Sequence, residues 1–124
     1  MGTVIQAGDA DGKSDNNDVS ALDLRAAMGT FLTGVTIVTA RCDDGQPYGL
    51  TVNSFNSVSL DPPLILWSLD NHHDKSDLFR NASGFAVNIM PAGSEELIHK
   101  FAVNTADRFD GTAWHWGASG HPVL

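Results

Sequence analysis

The sequence predicts one small domain of the mostly β or α+β class, with antiparallel strands flanked by short helices. Val35–Thr39 is β-branched at every position, which favours a strand. Asp44-Gly45 is a turn signal, and Tyr48–Val52 can pair back on the first strand as a hairpin. The chain has 124 residues, of which 42% are hydrophobic, a size and composition typical of a single folded domain.

The N-terminal part of the sequence reads as a leader followed by a helix. Residues 1–19 are rich in Gly, Asp and Asn, and we expect a flexible acidic segment that is not a signal peptide. The ordered domain is expected over residues 20–124. Ser20 is a plausible N-cap with Asp23 three residues on, and the apolar residues that follow at helical spacing are Leu24, Met28, Phe31 and Leu32.

The remaining elements follow from breaks and periodicity. Asn53–Ser57 is polar and poorly suited to a core strand, and residues 104–124 show no clear period. The predicted elements are a third strand at Leu64–Leu69, a helix at Lys75–Asn81, a fourth strand at Phe85–Met90, and a helix that begins after Ser94 and buries Leu97, Ile98 and Phe101.

Charge and cysteine content exclude several classes of function. The formal net charge is −8, which argues against binding to nucleic acid or to an anionic membrane surface. The apolar runs are too short to cross a bilayer. Cys42 is the single cysteine, so no intrachain disulfide forms, and a reducing cytoplasmic location is the expectation.

Five segments occur in an order and at spacings that closely resemble one family. They are Met28–Thr39, Tyr48–Phe55, Ser57–Leu64, Phe85–Asn88 and Asp107–Phe109. Together they resemble the flavin reductase-like family, whose fold is an FMN-binding split barrel. The resemblance covers residues 22–124, nearly all of the expected ordered chain.

The resemblance implies a six-stranded antiparallel split barrel with short flanking helices, usually a homodimer with flavin near the subunit interface. It also implies a reaction in which NADH or NADPH reduces FMN or FAD at N5 for a partner monooxygenase. Family members continue beyond Leu124 with further strands and a Gly-Asp-His motif on the nicotinamide side. We therefore expect a barrel without the family's C-terminal strands, and weak activity for this form.

The resemblance also implies a set of cofactor-binding residues. An isoalloxazine ring needs hydrogen-bond partners, which the main chain of the irregular segment Thr51–Ser54 and the side chains of Asn53 and Ser54 can supply. The phosphate is assigned to Lys75 and Ser76, although Asn71–Asp74 stands where the family usually has several serines. Arg108 is a second anion candidate, or alternatively the partner of Asp107 or Asp110 in an ion pair. The full candidate set is Thr36, Gly49, Leu50, Thr51, Val52, Asn53, Ser54, Ser57, Lys75, Ser76 and Arg108.

No catalytic residue and no metal site is predicted. His72 and His73 are adjacent, so their rings seldom reach one metal ion. Cys42 is expected to be a bystander thiol, and the three tryptophans are expected to pack. Two other functions remain open from the sequence: a noncatalytic flavin- or haem-binding module, and an interaction protein that uses the open barrel edge.

Overall fold

A computed structural model of the chain describes residues 20, 22–23, 34–73, 75–103 and 107–124. The chain divides into two units, Met1–Thr33 and Gly34–Leu124. In the first unit, the Ser20 hydroxyl accepts a hydrogen bond from the Asp23 amide (3.1 Å) and donates one to the Asp23 carboxylate (2.7 Å). This is the expected N-cap geometry. The acidic leader and the predicted apolar face of the first helix lie outside the described residues.

The described part of the second unit contains seven strands and two helices, in the order β1 (Thr36–Arg41), β2 (Pro47–Val52), β3 (Asn56–Leu60), β4 (Pro63–Leu66), α1 (Ser76–Asn81), β5 (Ala86–Ile89), α2 (Glu95–Ala102), β6 (His115–Trp116) and β7 (Pro122–Val123). Every strand pair is antiparallel: a sheet of order β2-β1-β5 and two hairpins, β3-β4 and β6-β7. The predicted mostly β class is confirmed.

The hairpin of β1 and β2 forms where the turn signal predicts it. Gly45 has a φ of +81°, a conformation that glycine adopts without strain. The Asp44 carboxylate accepts a hydrogen bond from the Gln46 amide (2.9 Å) and holds the turn. The register runs without interruption from Arg41 opposite Pro47 to Thr36 opposite Val52.

The three-stranded sheet is buried on both faces because successive side chains of a strand point to opposite sides. On one face, Ile37 packs with Phe101 of α2 and with Phe109. On the other face, Val38 packs with Leu50 and Val52. The central strand β1 is therefore buried from Thr36 to Ala40, and Ile37 and Val38 have no exposed surface.

Several elements differ from the sequence prediction. Thr51 and Val52, predicted to be irregular, belong to β2. β3 begins at Asn56, within the segment judged poorly suited to a core strand, and β4 ends at Leu66 rather than Leu69. The β3-β4 hairpin lies largely in solvent, so its strands tolerate polar residues that a core strand would exclude. β6 and β7 have two residues each, too few for any periodicity. Ser94 precedes α2 as predicted, but its hydroxyl makes no capping hydrogen bond.

Asn88 of β5 joins β1 to the C-terminal segment. Its side-chain amide donates to the Ile37 carbonyl (2.9 Å) and to the Thr39 hydroxyl (3.0 Å), and its oxygen accepts from the Leu124 amide (3.0 Å). The Thr39 hydroxyl in turn donates to the Pro122 carbonyl (2.6 Å). Asn88 is only 8% exposed, so each of these polar groups depends on the others for its hydrogen bonds.

Replacing Asn88 with alanine is expected to lower the free energy of unfolding by about 2–4 kcal/mol, because the Ile37 carbonyl, the Thr39 hydroxyl and the Leu124 amide each lose the hydrogen bond that they make with its side chain. Asn81→Ala is the matched control, since Asn81 is exposed at the end of α1 and its loss is expected to cost under about 0.5 kcal/mol. Urea unfolding of both variants measures the difference. Equal losses would contradict the role given to Asn88.

Candidate functional site

The outer edge of β2 carries main-chain groups that point away from the sheet. In an antiparallel pair, residues alternate between bonding to the partner strand and pointing outward. The bond from the Cys42 amide to the Gln46 carbonyl (2.9 Å) sets the phase, so the groups of Gly49 and Thr51 face outward. The Gly49 carbonyl accepts a hydrogen bond from the Arg108 guanidinium (2.8 Å), in agreement with this phase.

The loop after β2 is fixed by one serine. Ser54 accepts a hydrogen bond from the Ser68 amide (2.8 Å) through its hydroxyl and donates one to the Ser68 carbonyl (3.1 Å). These two side-chain bonds take the place of main-chain bonds between the two segments, and the regular β3-β4 pairing ends before Ser68. Asn53, next to Ser54, is exposed. The Ser54 side chain, assigned to the flavin ring from the sequence, is thus bonded within the loop instead, whereas the main-chain groups of Thr51 face outward.

A cavity of about 260 Å³ lies beyond Ser68, between the segment after β4 and helix α1. Trp67, Leu69 and Phe79 give it an apolar wall, and the Trp67 and Phe79 rings meet edge to face at 5.3 Å. Its polar lining is supplied by Asn71, Ser76 and Arg80.

The polar residues of this cavity are held by hydrogen bonds to Asn71. The Arg80 guanidinium donates to the Asn71 side-chain oxygen (3.0 Å), and the Ser76 hydroxyl donates to the Asn71 carbonyl (3.3 Å). Arg80 also pairs with Asp77 at 3.3 Å, both side chains being exposed. The preceding turn is closed by the His73 ring, which accepts a hydrogen bond from the Lys75 amide (3.1 Å). A cation, an amide and a hydroxyl thus meet beside an aromatic wall.

The structure divides the sequence-predicted residues into two groups. Gly49, Leu50 and Val52 are buried in the sheet, and Thr36 is 2% exposed with its hydroxyl bonded to the Val52 carbonyl (3.4 Å). Thr51 uses its hydroxyl to bond the Ile98 carbonyl of α2 (2.6 Å). Leu50 and Val52 use their main-chain groups to pair with β1, and the Gly49 carbonyl is bonded to Arg108, so of these residues Thr51 is the one whose outward main-chain groups are left for a ligand.

The other predicted residues are closer to solvent. Ser57 is exposed on β3, Lys75 precedes α1, and Ser76 lines the cavity. The sequence prediction did not include Arg80, Asn71, Trp67 or Phe79 in the site. Only the spacing of Ser76 and Arg80 on one helical face could have indicated Arg80.

Arg108 lies apart from the cavity and stabilises the edge of β2. It is 8% exposed and donates to the Val103 carbonyl (3.0 Å), the Tyr48 hydroxyl (3.0 Å) and the Gly49 carbonyl. Its guanidinium also stacks 5.5 Å from the centre of the Tyr48 ring. Asp107, one of the ion-pair partners considered from the sequence, instead accepts from the main-chain amides of Phe109 and Asp110.

Cys42 is unsuited to act as a nucleophile. Burial raises the pKa of its thiol, and the nearby carboxylates of Asp44 and Asp43 raise it further. The thiol is therefore protonated at neutral pH, whereas the thiolate is the reactive form. Among the described residues, no three His, Cys, Asp or Glu side chains are grouped so that they could hold a metal ion. In the same part of the chain, no helix is long and apolar enough to span a membrane.

Gly49 leaves room for Phe101 of α2. A β-carbon at residue 49 would lie 2.8 Å from the Phe101 ring and 3.0 Å from the Thr39 methyl group. We expect Gly49→Ala to destabilise the protein by about 1–3 kcal/mol through this overpacking. The penalty should shrink in a Phe101→Leu background, and chemical unfolding of the double-mutant cycle measures the coupling. An unchanged penalty in that background would contradict the contact.

Comparisons with known proteins agree on one family. Residues 28–124 match the family model described as the flavin reductase like domain. The chain is 44% identical over 100 residues to the FMN reductase (NADH) SmoA of Agrobacterium fabrum, an alignment that covers 81% of this chain and 56% of that protein. It is 42% identical over 102 residues to the reductase component of the flavin-dependent trigonelline monooxygenase of Acinetobacter baylyi, covering 82% of this chain and 33% of that protein.

Comparison with a solved structure also indicates a flavin reductase fold. An NADH:FAD oxidoreductase of Streptomyces globisporus, in complex with NAD and FAD fragments, superposes with a TM-score of 0.71 at 37% identity. The superposition covers 80% of this chain and 59% of that one. The chain thus spans between about a third and just over half of the length of the relatives compared.

Proposed function

The chain belongs to the flavin reductase like domain family, and we propose that it acts as an NADH- or NADPH-dependent flavin reductase. Its product would be reduced FMN or FAD, passed to a partner monooxygenase. The observation that carries this proposal is the match of residues 28–124 to the family model, together with relatives named as reductase components. A single cysteine and the use of a reduced nicotinamide both favour the cytoplasm as its location.

The ring of the flavin is assigned to the main chain of Thr51–Ser54. The outward groups of Thr51 offer one amide donor and one carbonyl acceptor, which suits the alternating donors and acceptors at one edge of an isoalloxazine. Asn53 adds an exposed side-chain amide at the same edge. The Ser54–Ser68 bonds keep this edge rigid, and a rigid edge costs less entropy on binding. The chemistry expected of bound flavin is acceptance of a hydride at N5.

The phosphate of the flavin is assigned to Lys75 and Ser76, and Arg80 joins them. Ser76 and Arg80 line the cavity of about 260 Å³, and Lys75 precedes Ser76 in the chain. Phosphate oxygens accept hydrogen bonds from cationic side chains such as Lys75 and Arg80 and from hydroxyls such as that of Ser76. Because the net charge of the chain is −8, local geometry must supply this attraction.

Lys75→Met is expected to weaken FMN binding about tenfold, since it removes a charge-assisted hydrogen bond. Riboflavin, which has the same ring and lacks the phosphate, should bind equally well to the variant and to the original chain. Flavin fluorescence quenching measures both affinities, and Lys100→Met provides a control with the same loss of charge on α2. An equal loss for FMN and riboflavin would contradict the phosphate assignment.

NADH and NADPH oxidation with added flavin tests the reaction itself. Turnover that depends on both nicotinamide and flavin is the expected result. Flavin binding without turnover would replace the proposal with the noncatalytic flavin-binding module. Absence of both binding and turnover would contradict any flavin function for this chain.

A homodimer is proposed from the exposed β3-β4 hairpin. An isolated two-stranded hairpin is marginally stable in water, and a cluster of exposed apolar side chains indicates an interface. Five apolar side chains of the hairpin are between 48% and 94% exposed: Val58, Leu60, Leu64, Ile65 and Leu66. A second copy packed on this hairpin would cover them near Ser57 and the proposed flavin loop.

Sedimentation velocity tests the dimer. The chain should sediment as a dimer, and Leu60→Lys with Ile65→Lys should shift it to a monomer while circular dichroism stays unchanged. Ile89→Lys is the control, because Ile89 is 76% exposed on a different strand, β5. A monomer at every concentration, or dissociation by the control alone, would contradict this interface.

A further inference from the structure

A second cavity, of about 500 Å³, lies at the tip of the β1-β2 hairpin. Its lining includes Gly45–Pro47, at the start of β2. The proposed flavin loop begins at the other end of the same strand, after Val52. A strand of six residues is about 20 Å long, so the two sites are separate.

The cavity has an aromatic wall. The rings of Phe109 and Trp114 meet edge to face at 5.3 Å, and those of Trp114 and Trp116 do so at 5.0 Å. Trp116 is 42% exposed, which is a large exposed fraction for an indole side chain. The Arg41 guanidinium already lies 5.0 Å from the centre of the Trp116 ring. The lining therefore includes aromatic rings of the kind that attract cations, and Arg41 occupies one face of Trp116.

Two carboxylates complete the lining. Asp107 is fixed, because it accepts hydrogen bonds from the amides of Phe109 (2.9 Å) and Asp110 (3.1 Å). Asp110 also lines the cavity, and Asp43 and Asp44 precede its Gly45 edge. Lys100 is nearby, donating to the Asp110 carbonyl and to the Thr112 hydroxyl. The carboxylates outnumber the cations around this cavity, which disfavours a phosphate or a dinucleotide there.

We propose that this cavity binds an organic cation of the quaternary ammonium class. A quaternary ammonium group has no N–H donors and is weakly hydrated, so it loses little by moving against indole faces. The carboxylates of Asp107 and Asp110 supply the matching charge without any need for direct hydrogen bonds. This site is independent of flavin, and its ligand would be a small organic cation rather than a redox cofactor.

A comparison of choline with 3,3-dimethylbutan-1-ol tests the proposal. The two molecules have the same shape, and only choline carries the positive charge. The indole N–H signals of the three tryptophans are followed in nitrogen–proton correlation spectra of the whole chain. Choline should shift the signals of Trp114 and Trp116 and leave that of Trp67 in place, while the neutral alcohol should shift none of them.

Three variants extend the test. Asp107→Asn keeps the oxygen that accepts the two amides and removes the charge, and should weaken choline binding about fivefold. Trp116→Leu should weaken it about tenfold. Asp61→Asn is the control, since it removes the same charge in the turn between β3 and β4 and should have no effect. Equal binding of the neutral alcohol, or equal effects of the two Asp variants, would overturn the proposal.

Discussion

The side-chain amide of Asn88 is the interaction on which the arrangement of the sheet depends. It bonds to β1 through Ile37 and Thr39 and to the chain end through Leu124, so three segments that are distant in sequence meet at one buried group. A buried amide with all its partners in place specifies one register, because any slip would leave it unsatisfied. With β1 held in this way, Ile37 and Val38 can be buried on opposite faces.

The position of β2 at the edge of that sheet links the fold to the proposed function. The main-chain groups of β2 that face β1 pair with that strand, and the side chains of Leu50 and Val52 pack in the hydrophobic core with Val38. The β2 main-chain groups at Gly49 and Thr51 face away from β1, and because the Gly49 carbonyl is bonded to Arg108, those of Thr51 are the ones left for the proposed ligand. A site built from main-chain groups constrains side chains only weakly.

The distribution of charge separates the two proposed ligands. Ser76 and Arg80 line the cavity beside helix α1, whereas Asp107 and Asp110 line the cavity at the hairpin tip. We therefore expect an anionic flavin and an organic cation to bind at different cavities, although the chain as a whole is strongly negative. Local groups decide such recognition, because exposed charges more than about 10 Å apart are largely screened by salt.

The amino-acid pattern alone predicts the mostly β class, the β1-β2 hairpin, helices α1 and α2 and the family resemblance. These depend on local signals, such as the β-branched run at Val35–Thr39 and the Asp44-Gly45 turn. The folded chain is needed to see the short strands β6 and β7, the Ser54–Ser68 bonds, the partners of Arg108 and the two cavities. β6 and β7 are too short to show a period, and the other features join residues from separate segments, for example Arg108 and Gly49, so neither segment carries a periodic pattern that indicates the contact.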